Sequence, residues 1–550
     1  MITKIVIENF KKFEKAKIDL GLSPILFVGQ NNGGKTTALQ AISLWSFFIR
    51  RWQTEKAGSK ATIRAGLPVA RSTISAVPTR DIRTIWRNGE VQDKKSKKIK
   101  IVITAYGRDA AGVEWNYGVE STYQNKELLH CKPIDIKANV PAEATRVFHL
   151  PPLSGVQTSE KKIDEAAQQQ AIGEGRPGEI LRNLLLYVQT QSLESWKELK
   201  IKAKDLFQIE LQDIQYVSTI DPSIVVEYLP VLPDKLRMKF EIANAGSGFL
   251  QFLLLAAFMY AHKDGAILLI DEPDSHMHTF LQRHAYDWLQ EIANKTNSQL
   301  IISTHSEVLV NSTSNIEQIV TFFGQQPKKL NYDKRRLTEV LKEVSPLSII
   351  NAEWQKKIFF AEGDTDLRIL KSFARILNHR VYQKLDSSSF FFRPYKTNDI
   401  SDAMSYFQSL QKIIQPELKG FCLRDFVLQA GKTQKLPANF QVEYWVRKEI
   451  ENYLIHPKAL LRFIESKGRT GLFSNSADQY LKDQLPPAVY RDPLKENIDG
   501  NGSDFLEKFF STIKLNVNKG NYWEISEVML PEEVHSDIKY MLNKLDVFLS

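Results

Sequence analysis

Apolar and polar residues alternate from residue 2 to residue 10, the period of a strand with one face toward water. Residues 23–28 read as a second strand, with Pro24 near its start, where a missing N–H is tolerated. A glycine-rich loop and an apolar helix follow. Residues 98–106 and 113–122 flank the turn Arg108-Asp109-Ala110-Ala111-Gly112, so the spacing predicts an antiparallel hairpin. From 157 to about 210, apolar positions fall at helical spacing among Glu, Gln and Lys; Gly173, Gly175, Pro177 and Gly178 break them into at least two helices. Heptads are not sustained, which excludes a long coiled-coil arm.

Strands resume from Ile224. An apolar helix after Gly248, a strand at 266–270, a helix and a strand at 299–303 follow in order, and this αβαβ succession predicts a parallel sheet. The apolar run 249–261 is shorter than the about 20 residues of a spanning helix and is interrupted by Gln251, so it reads as a buried helix. The expected fold class is α/β. A head covers 1–325 with the helical insertion at about 157–210, a polar connector with Lys328, Lys329, Lys334, Arg335 and Arg336 covers 326–355, a second α/β domain covers 356–466, and a helical region covers 467–550.

Composition changes this picture little. With 550 residues and 25% charged positions the chain is long enough for several cores. Cys131 and Cys422 give no disulfide framework and suit a reducing compartment. The start MITKIVIENF has no signal-peptide pattern, so the expected location is the cytoplasm, with no membrane partner. The net charge of +9 permits contact with nucleic acid without demanding it. The run Lys94, Lys95, Lys97, Lys98, Lys100 reads either as a solvated hairpin end or as a phosphate-facing patch.

Gly29-Gln30-Asn31-Asn32-Gly33-Gly34-Lys35-Thr36 matches the G-x4-G-K-[ST] phosphate loop between a strand and a helix, with Thr37 next in the helix. Glycines let successive N–H groups turn toward phosphates, Lys35 can reach the β and γ phosphates of ATP, and the Thr36 hydroxyl can hold Mg2+. Downstream, Ile267-Leu268-Leu269-Ile270-Asp271-Glu272-Pro273 ends an apolar strand on two carboxylates. Asp271 is expected on Mg2+, and Glu272 as the base that polarises the attacking water. Thr304-His305-Ser306 ends a further strand, where His305 serves either the γ phosphate or the core.

The order of these motifs resembles the ABC-type ATPase heads of the chromosome-maintenance and overcoming-lysogenization-defect (OLD) groups, over most of residues 1–325. Asn244-Ala245-Gly246-Ser247-Gly248 stands where such heads carry their signature, in other wording than LSGG. The resemblance implies that Ser247 and Gly248 complete the ATP site of a second copy, in a two-fold homodimer; a plain helix-capping turn is the alternative. Asp274-Ser275-His276-Met277-His278 resembles the loop after the second carboxylate in OLD-type chains, and the usual Q-loop glutamine is unassigned.

Phe359-Phe360-Ala361-Glu362-Gly363-Asp364-Thr365-Asp366, then Arg424-Asp425-Phe426 and Glu449-Ile450-Glu451, resemble the Toprim fold of OLD-type nucleases. Glu362 at a strand end and Asp366 in the first turn of a helix could share one metal, and the resemblance implies that Glu362, Asp366, Asp425 and Glu451 bind divalent metal. Where the second aspartate of D-x-D belongs, the chain has Val427, so a relic site or a structural polar cluster stands beside a living nuclease. With Pro151-Pro152-Leu153-Ser154-Gly155 and Leu181-Arg182-Asn183, the whole resembles the ATPase of Septu-type anti-phage systems, some of them retron-associated. That family implies ATP and Mg2+ as cofactors, a partner nuclease of the HNH type, and contact with retron RNA–DNA or with phage or host nucleic acid. An OLD-type nuclease cutting by itself and a DNA-repair ATPase of the chromosome-maintenance kind are the other expectations.

Overall fold

A computed structural model describes the chain outside residues 22, 30, 57–65, 78, 110, 135–144, 218, 220, 232–237, 263–264, 314, 324–325, 331–339, 342, 388–389, 396–399, 415–416 and 427–435. Gln30, Lys334, Arg335, Arg336 and Val427 thus lie outside the described residues. Two units are distinguished, Met1–Asn331 and Tyr332–Ser550.

In the first unit, strand Ile2–Phe10 turns Ile5 and Ile7 inward by alternation, while Ile2 and Phe10 join them across a register shift at Ile2/Lys4 and the left-handed Asn9, φ 55°. It lies in a six-stranded antiparallel sheet ordered Phe13–Asp19, Ile2–Phe10, Lys100–Arg108, Glu114–Asn125, Leu128–Ile134, Leu67–Ala70. The predicted hairpin is its centre, with Tyr106 opposite Asn116. The lysine run caps a turn at the end of this sheet, where the Asp93 carboxylate accepts from the N–H groups of Lys95 and Lys97 and the lysines are exposed.

A second sheet is ordered Lys328–Lys329, Ile319–Thr321, Ile25–Val28, Gln299–Thr304, Ile267–Asp271, Val147–Leu150. All its pairs are parallel except that of Lys328–Lys329 with Ile319–Thr321. Strands Ile25–Val28, Ile267–Asp271 and Gln299–Thr304 are buried at every position, as strands of a parallel sheet covered on both faces are. Helix Lys35–Lys56 fills the space between the two sheets; its Trp45 stacks on Trp115 with centroids 6.1 Å apart and donates to the Tyr117 carbonyl. Replacing Trp45 by Ala would cost about 3–5 kcal/mol by the ordinary scale for large core aromatics. Lys328 and Lys329, expected in the connector, instead form the edge strand of this sheet, where two lysines keep an open edge from pairing further.

Helices Glu165–Gly173, Leu181–Gln191 and Leu193–Phe207 form the insertion. Helix Ser247–Ala261 is buried at every position from Phe249 to Tyr260, which its all-round apolar surface demands. Among the described residues no helix is long and apolar enough to cross a membrane.

The second unit has a parallel four-stranded sheet ordered Phe391–Pro394, Lys357–Ala361, Lys419–Arg424, Phe440–Tyr444. The helices expected as a tail beyond residue 467 share one core with this sheet: Phe421 packs on Phe548 at 5.3 Å, and Phe359, Phe509, Phe510 and Leu542 belong to the same cluster. They cover the sheet rather than trail from it.

Candidate functional site

Strand Ile25–Val28 delivers the chain to the phosphate loop, and helix Lys35–Lys56 carries it away. Asn32 and Gly34 take positive φ, 58° and 107°. The Gly34 carbonyl accepts the Ala38 N–H at 2.9 Å, which starts the helix. A Cβ on Gly29 would lie 2.6 Å from the Phe322 carbonyl oxygen, and one on Gly34 2.9 Å from the Phe13 ring, so both positions need glycine for space. Gly33 is buried, Asn31, Asn32 and Thr36 are exposed, and Thr37 is half-buried. Lys35 is buried; its Nζ donates to the Gly29 carbonyl at 2.9 Å and meets His305 Nε2 at 2.8 Å.

The two acidic strand ends sit next door. Asp271 pairs with Ser303 across the parallel ladder, is buried, and accepts a hydrogen bond from the Ser303 hydroxyl. Glu272 has a left-handed backbone, φ 51°, and its N–H donates to the Ser303 carbonyl at 3.0 Å. That turn sends the second carboxylate away from the first, and Glu272 Oε1 stands 3.5 Å from His305 Nε2. The Thr304 hydroxyl donates to Asp274 at 2.6 Å, and the Ser306 hydroxyl to Gln282 at 2.6 Å. Burial, then the adjacent Lys35, holds the His305 imidazole below the ordinary histidine range, so it is neutral near pH 7 and can accept from Lys35. Burial also lowers the Lys35 ammonium, against the pull of Glu272, Asp271 and Asp274.

Ser247 and Gly246 are exposed at the start of helix Ser247–Ala261, with no side chain capping it. A Cβ on Gly248 would lie 3.1 Å from the His276 carbonyl oxygen, and Gln251, the polar residue inside the apolar run, donates to the Pro273 carbonyl at 3.4 Å. The turn before helix Ser247–Ala261 is therefore seated on the loop that follows Glu272.

The family model described as "AAA domain, putative AbiEii toxin, Type IV TA system" matches residues 25–311, from the first phosphate-loop strand to the helix after His305. The chain belongs to this family. It is accordingly an ATPase of the AAA class. No curated protein matches the chain. Among solved structures, the SMC head domain from Thermotoga maritima is 12% identical, with a TM-score of 0.32, covering 60% of this chain and 99% of its own. The SmcHead bound to the C-winged helix domain of ScpA is 12% identical with a TM-score of 0.35, covering 61% and 99%. An Smc head domain with an extended coiled coil, bound to the C-terminal domain of ScpA derived from Pyrococcus furiosus, is 11% identical with a TM-score of 0.35, covering 62% and 98%.

Within the AAA domain, the Leu181-Arg182-Asn183 motif meets partners that no local pattern announces. Arg182 is 1% exposed and joins two carboxylates: its Nη2 is 2.7 Å from Glu241, and its Nη1 3.5 Å from Glu160. Glu160 accepts the N–H groups of Arg182 and Asn183 at 2.9 and 2.6 Å, capping helix Leu181–Gln191, while Glu241 accepts the Ala243 N–H at 2.7 Å in the turn before Ser247. Arg182 thereby ties the loop that leaves strand Val147–Leu150 to the signature turn. His149 in that strand has a buried Nε2 with no partner, and burial, opposed by Asp271, pushes its pKa down to about 4.

The second unit lies beyond the AAA match. There Glu362 follows strand Lys357–Ala361, Asp366 is buried in the first turn of helix Asp364–Ile376, Asp425 follows strand Lys419–Arg424, and Glu451 is buried in the short helix Ile450–Leu454. Glu362 and Glu451 act on Asp366, and all three act on Asp425. Burial, then Glu451 and Glu362, raises the Asp366 carboxyl to about 7; burial, then a hydrogen bond with Glu362, raises Asp425 to about 9. Glu362 and Asp425 line a cavity of about 310 Å³ together with Tyr395, Lys448, Glu449 and Lys519. Lys519 Nζ stands 3.1 Å from Glu451. Among the described residues no three His, Cys, Asp or Glu groups come close enough to hold one metal ion.

Proposed function

We propose that the chain is the ATP-binding and ATP-hydrolysing subunit of a bacterial anti-phage defence complex, an ABC-type head that closes as a homodimer around ATP and controls a partner nuclease. The observation that carries the reading is the convergence of Lys35, His305 and Glu272, with Asp271 buried beside them and Ser247 exposed on the neighbouring turn. The loop glycines and Lys35 fit a triphosphate because they offer donors in a cradle that a Cβ would fill. Thr36 and Asp271 are the residues that would hold Mg2+, which neutralises phosphate charge when bound. Glu272 orients and deprotonates water, His305 donates or accepts at the terminal phosphate, and Ser247 reaches the site of a second copy. The toxin named in the family description agrees with a defence role.

A test is to purify the tagged Glu272→Gln chain from its host with and without ATP and to identify what travels with it by mass spectrometry. Retention of a nuclease in a nucleotide-dependent way supports the reading, and a chain that elutes alone in both states overturns it.

A second reading, an OLD-type nuclease using its own Toprim-like domain, is favoured by the acidic cavity that Glu362 and Asp425 share. Metal-assisted hydrolysis would require Glu362, Asp366, Asp425 and Glu451 to draw together on divalent ions. Cleavage by the chain alone separates the two readings.

A further inference from the structure

Helix Asp364–Ile376 buries Ile369, Leu370 and Phe373 in the core of the second unit. Arg368, Lys371 and Arg375 recur at three- and four-residue spacing and share another face. With Tyr382 from helix Val381–Asp386 and Trp523 from helix Trp523–Glu527, that face lines a cavity of about 230 Å³. Neither the phosphate loop nor the acidic cavity uses these side chains.

Two donors buried in the wall of the cavity lack acceptors. Ser372 is 5% exposed, and its buried hydroxyl has no hydrogen-bond partner. The Trp523 indole nitrogen is likewise buried and unpartnered. Lys371 faces Asp386 at 3.4 Å and Arg375 pairs with Glu527, so these two cations are balanced at the rim. Arg368 makes no ion pair or hydrogen bond among the described residues. One unbalanced guanidinium and two buried donors call for an anion rich in acceptors, because a buried donor left unmatched is unfavourable.

The two aromatic rings specify the rest. We infer that this cavity binds a nucleoside monophosphate, free or at the end of a nucleic-acid strand, with the phosphate on Arg368 and Ser372 and the base against Trp523 or Tyr382. Stacking on an aromatic face accepts any base, whereas a guanidinium and a hydroxyl select the phosphate. The cavity is smaller than the about 300 Å³ at which pockets begin to take drug-sized ligands, which suits one nucleotide and not two.

The test uses the full chain carrying Lys35→Ala, so that the phosphate loop contributes little affinity. Binding of inorganic phosphate, AMP, and a single-stranded decamer with either a 5′-phosphate or a 5′-hydroxyl is measured by calorimetry, with and without Arg368→Glu. Arg368 is exposed, so its replacement leaves the core intact. AMP or the phosphorylated strand should bind once per chain, and Arg368→Glu should weaken that binding at least about tenfold, as loss of a charge-assisted contact does. Ser372→Ala should weaken it less. A strand that binds only with its 5′-phosphate identifies a strand end as the ligand, and AMP alone identifies the free nucleotide. Absence of binding to all four probes up to about 1 mM, a level that marks very weak association, or binding indifferent to Arg368→Glu, overturns the inference.

Discussion

Lys35 Nζ lies 2.8 Å from His305 Nε2, so the phosphate-loop lysine is joined to the histidine at the end of the neighbouring strand. The same imidazole nitrogen is 3.5 Å from Glu272. A phosphate held by the loop should compete with His305 for the ammonium, so occupancy of the loop is expected to affect the contact between His305 and Glu272.

Lys35 and Glu272 should consequently fail in different ways. Lys35→Ala removes the cation and the bond to the Gly29 carbonyl, and nucleotide affinity should fall at least about tenfold, the scale of a charge-assisted contact. Glu272→Gln keeps shape and loses the base, so ATP should bind as before while turnover falls about 10²–10⁴-fold. Equilibrium binding and single-turnover hydrolysis on both variants check this; wild-type turnover by Glu272→Gln would remove it from catalysis.

Ser247 should act on the other copy's nucleotide. It is exposed beside the loop that follows Glu272, which runs so close that a Cβ on Gly248 would lie 3.1 Å from the His276 carbonyl oxygen. Mixing Lys35→Ala chains with Ser247→Arg chains should recover ATPase activity, since each heterodimer then holds one intact site. Failure to recover at every mixing ratio would count against the two-fold arrangement.

Local patterns made part of this legible. The hairpin was readable because alternation and a turn are neighbours in sequence, and the phosphate loop because its whole cradle is eight residues long. Strands Leu67–Ala70 and Leu128–Ile134 were not, since their partnership joins segments far apart and their own alternation is short. Lys328–Lys329 hid as connector because a two-residue edge strand has no pattern of its own. Arg182 lies 22 residues from Glu160 and 59 from Glu241, and only folding brings the three together. The lysine at position 519 was equally invisible as a partner of Glu451.

Arg182 should matter for coupling as well as stability. Breaking a buried ion pair by removing one partner costs about 3–5 kcal/mol, so Arg182→Ala should unfold at markedly lower temperature. Arg182→Lys keeps the charge and loses the fork that spans Glu160 and Glu241. That variant should bind ATP normally and hydrolyse it more slowly, because the turn before Ser247 loses its brace. Unchanged hydrolysis in a folded Arg182→Lys chain would reduce Arg182 to a structural role.

Acid should weaken the first unit through His262. Its ring stacks on Phe148 at 4.0 Å, and burial, then Arg146 and Arg50, pushes its pKa down to about 4. Above the ordinary value of 6.5 the group is neutral in both states and contributes no pH dependence. Between pH 6.5 and about 4 the unfolded chain takes a proton that the folded chain refuses, so stability falls as pH falls, by on the order of 3 kcal/mol at the lower end. His262→Phe keeps the stack and removes the titration. Its melting temperature should drop less than the wild type's between pH 7 and pH 4.5; equal drops would assign the acid lability elsewhere.

The isolated chain should be a poor nuclease. Two-metal cleavage needs enough carboxylate charge to hold cations about 4 Å apart. Val427 stands where a further aspartate would serve, and Glu451 is already engaged by Lys519 at 3.1 Å. Bringing Glu362, Asp366, Asp425 and Glu451 onto metal would also require movement, since no three acidic groups are close enough as they stand among the described residues. The head, by contrast, has its lysine, both strand-end carboxylates and its histidine in mutual reach. The expected division of labour is an ATP-driven head that governs a separate effector, with the second unit docking or sensing. Purified chain incubated with single- and double-stranded DNA and RNA, in Mg2+ and in Mn2+, should leave them intact to the same degree as a Glu362→Gln control. Robust cleavage that disappears in that control would transfer the effector role to the chain itself, and Lys519→Ala should then raise it by freeing Glu451.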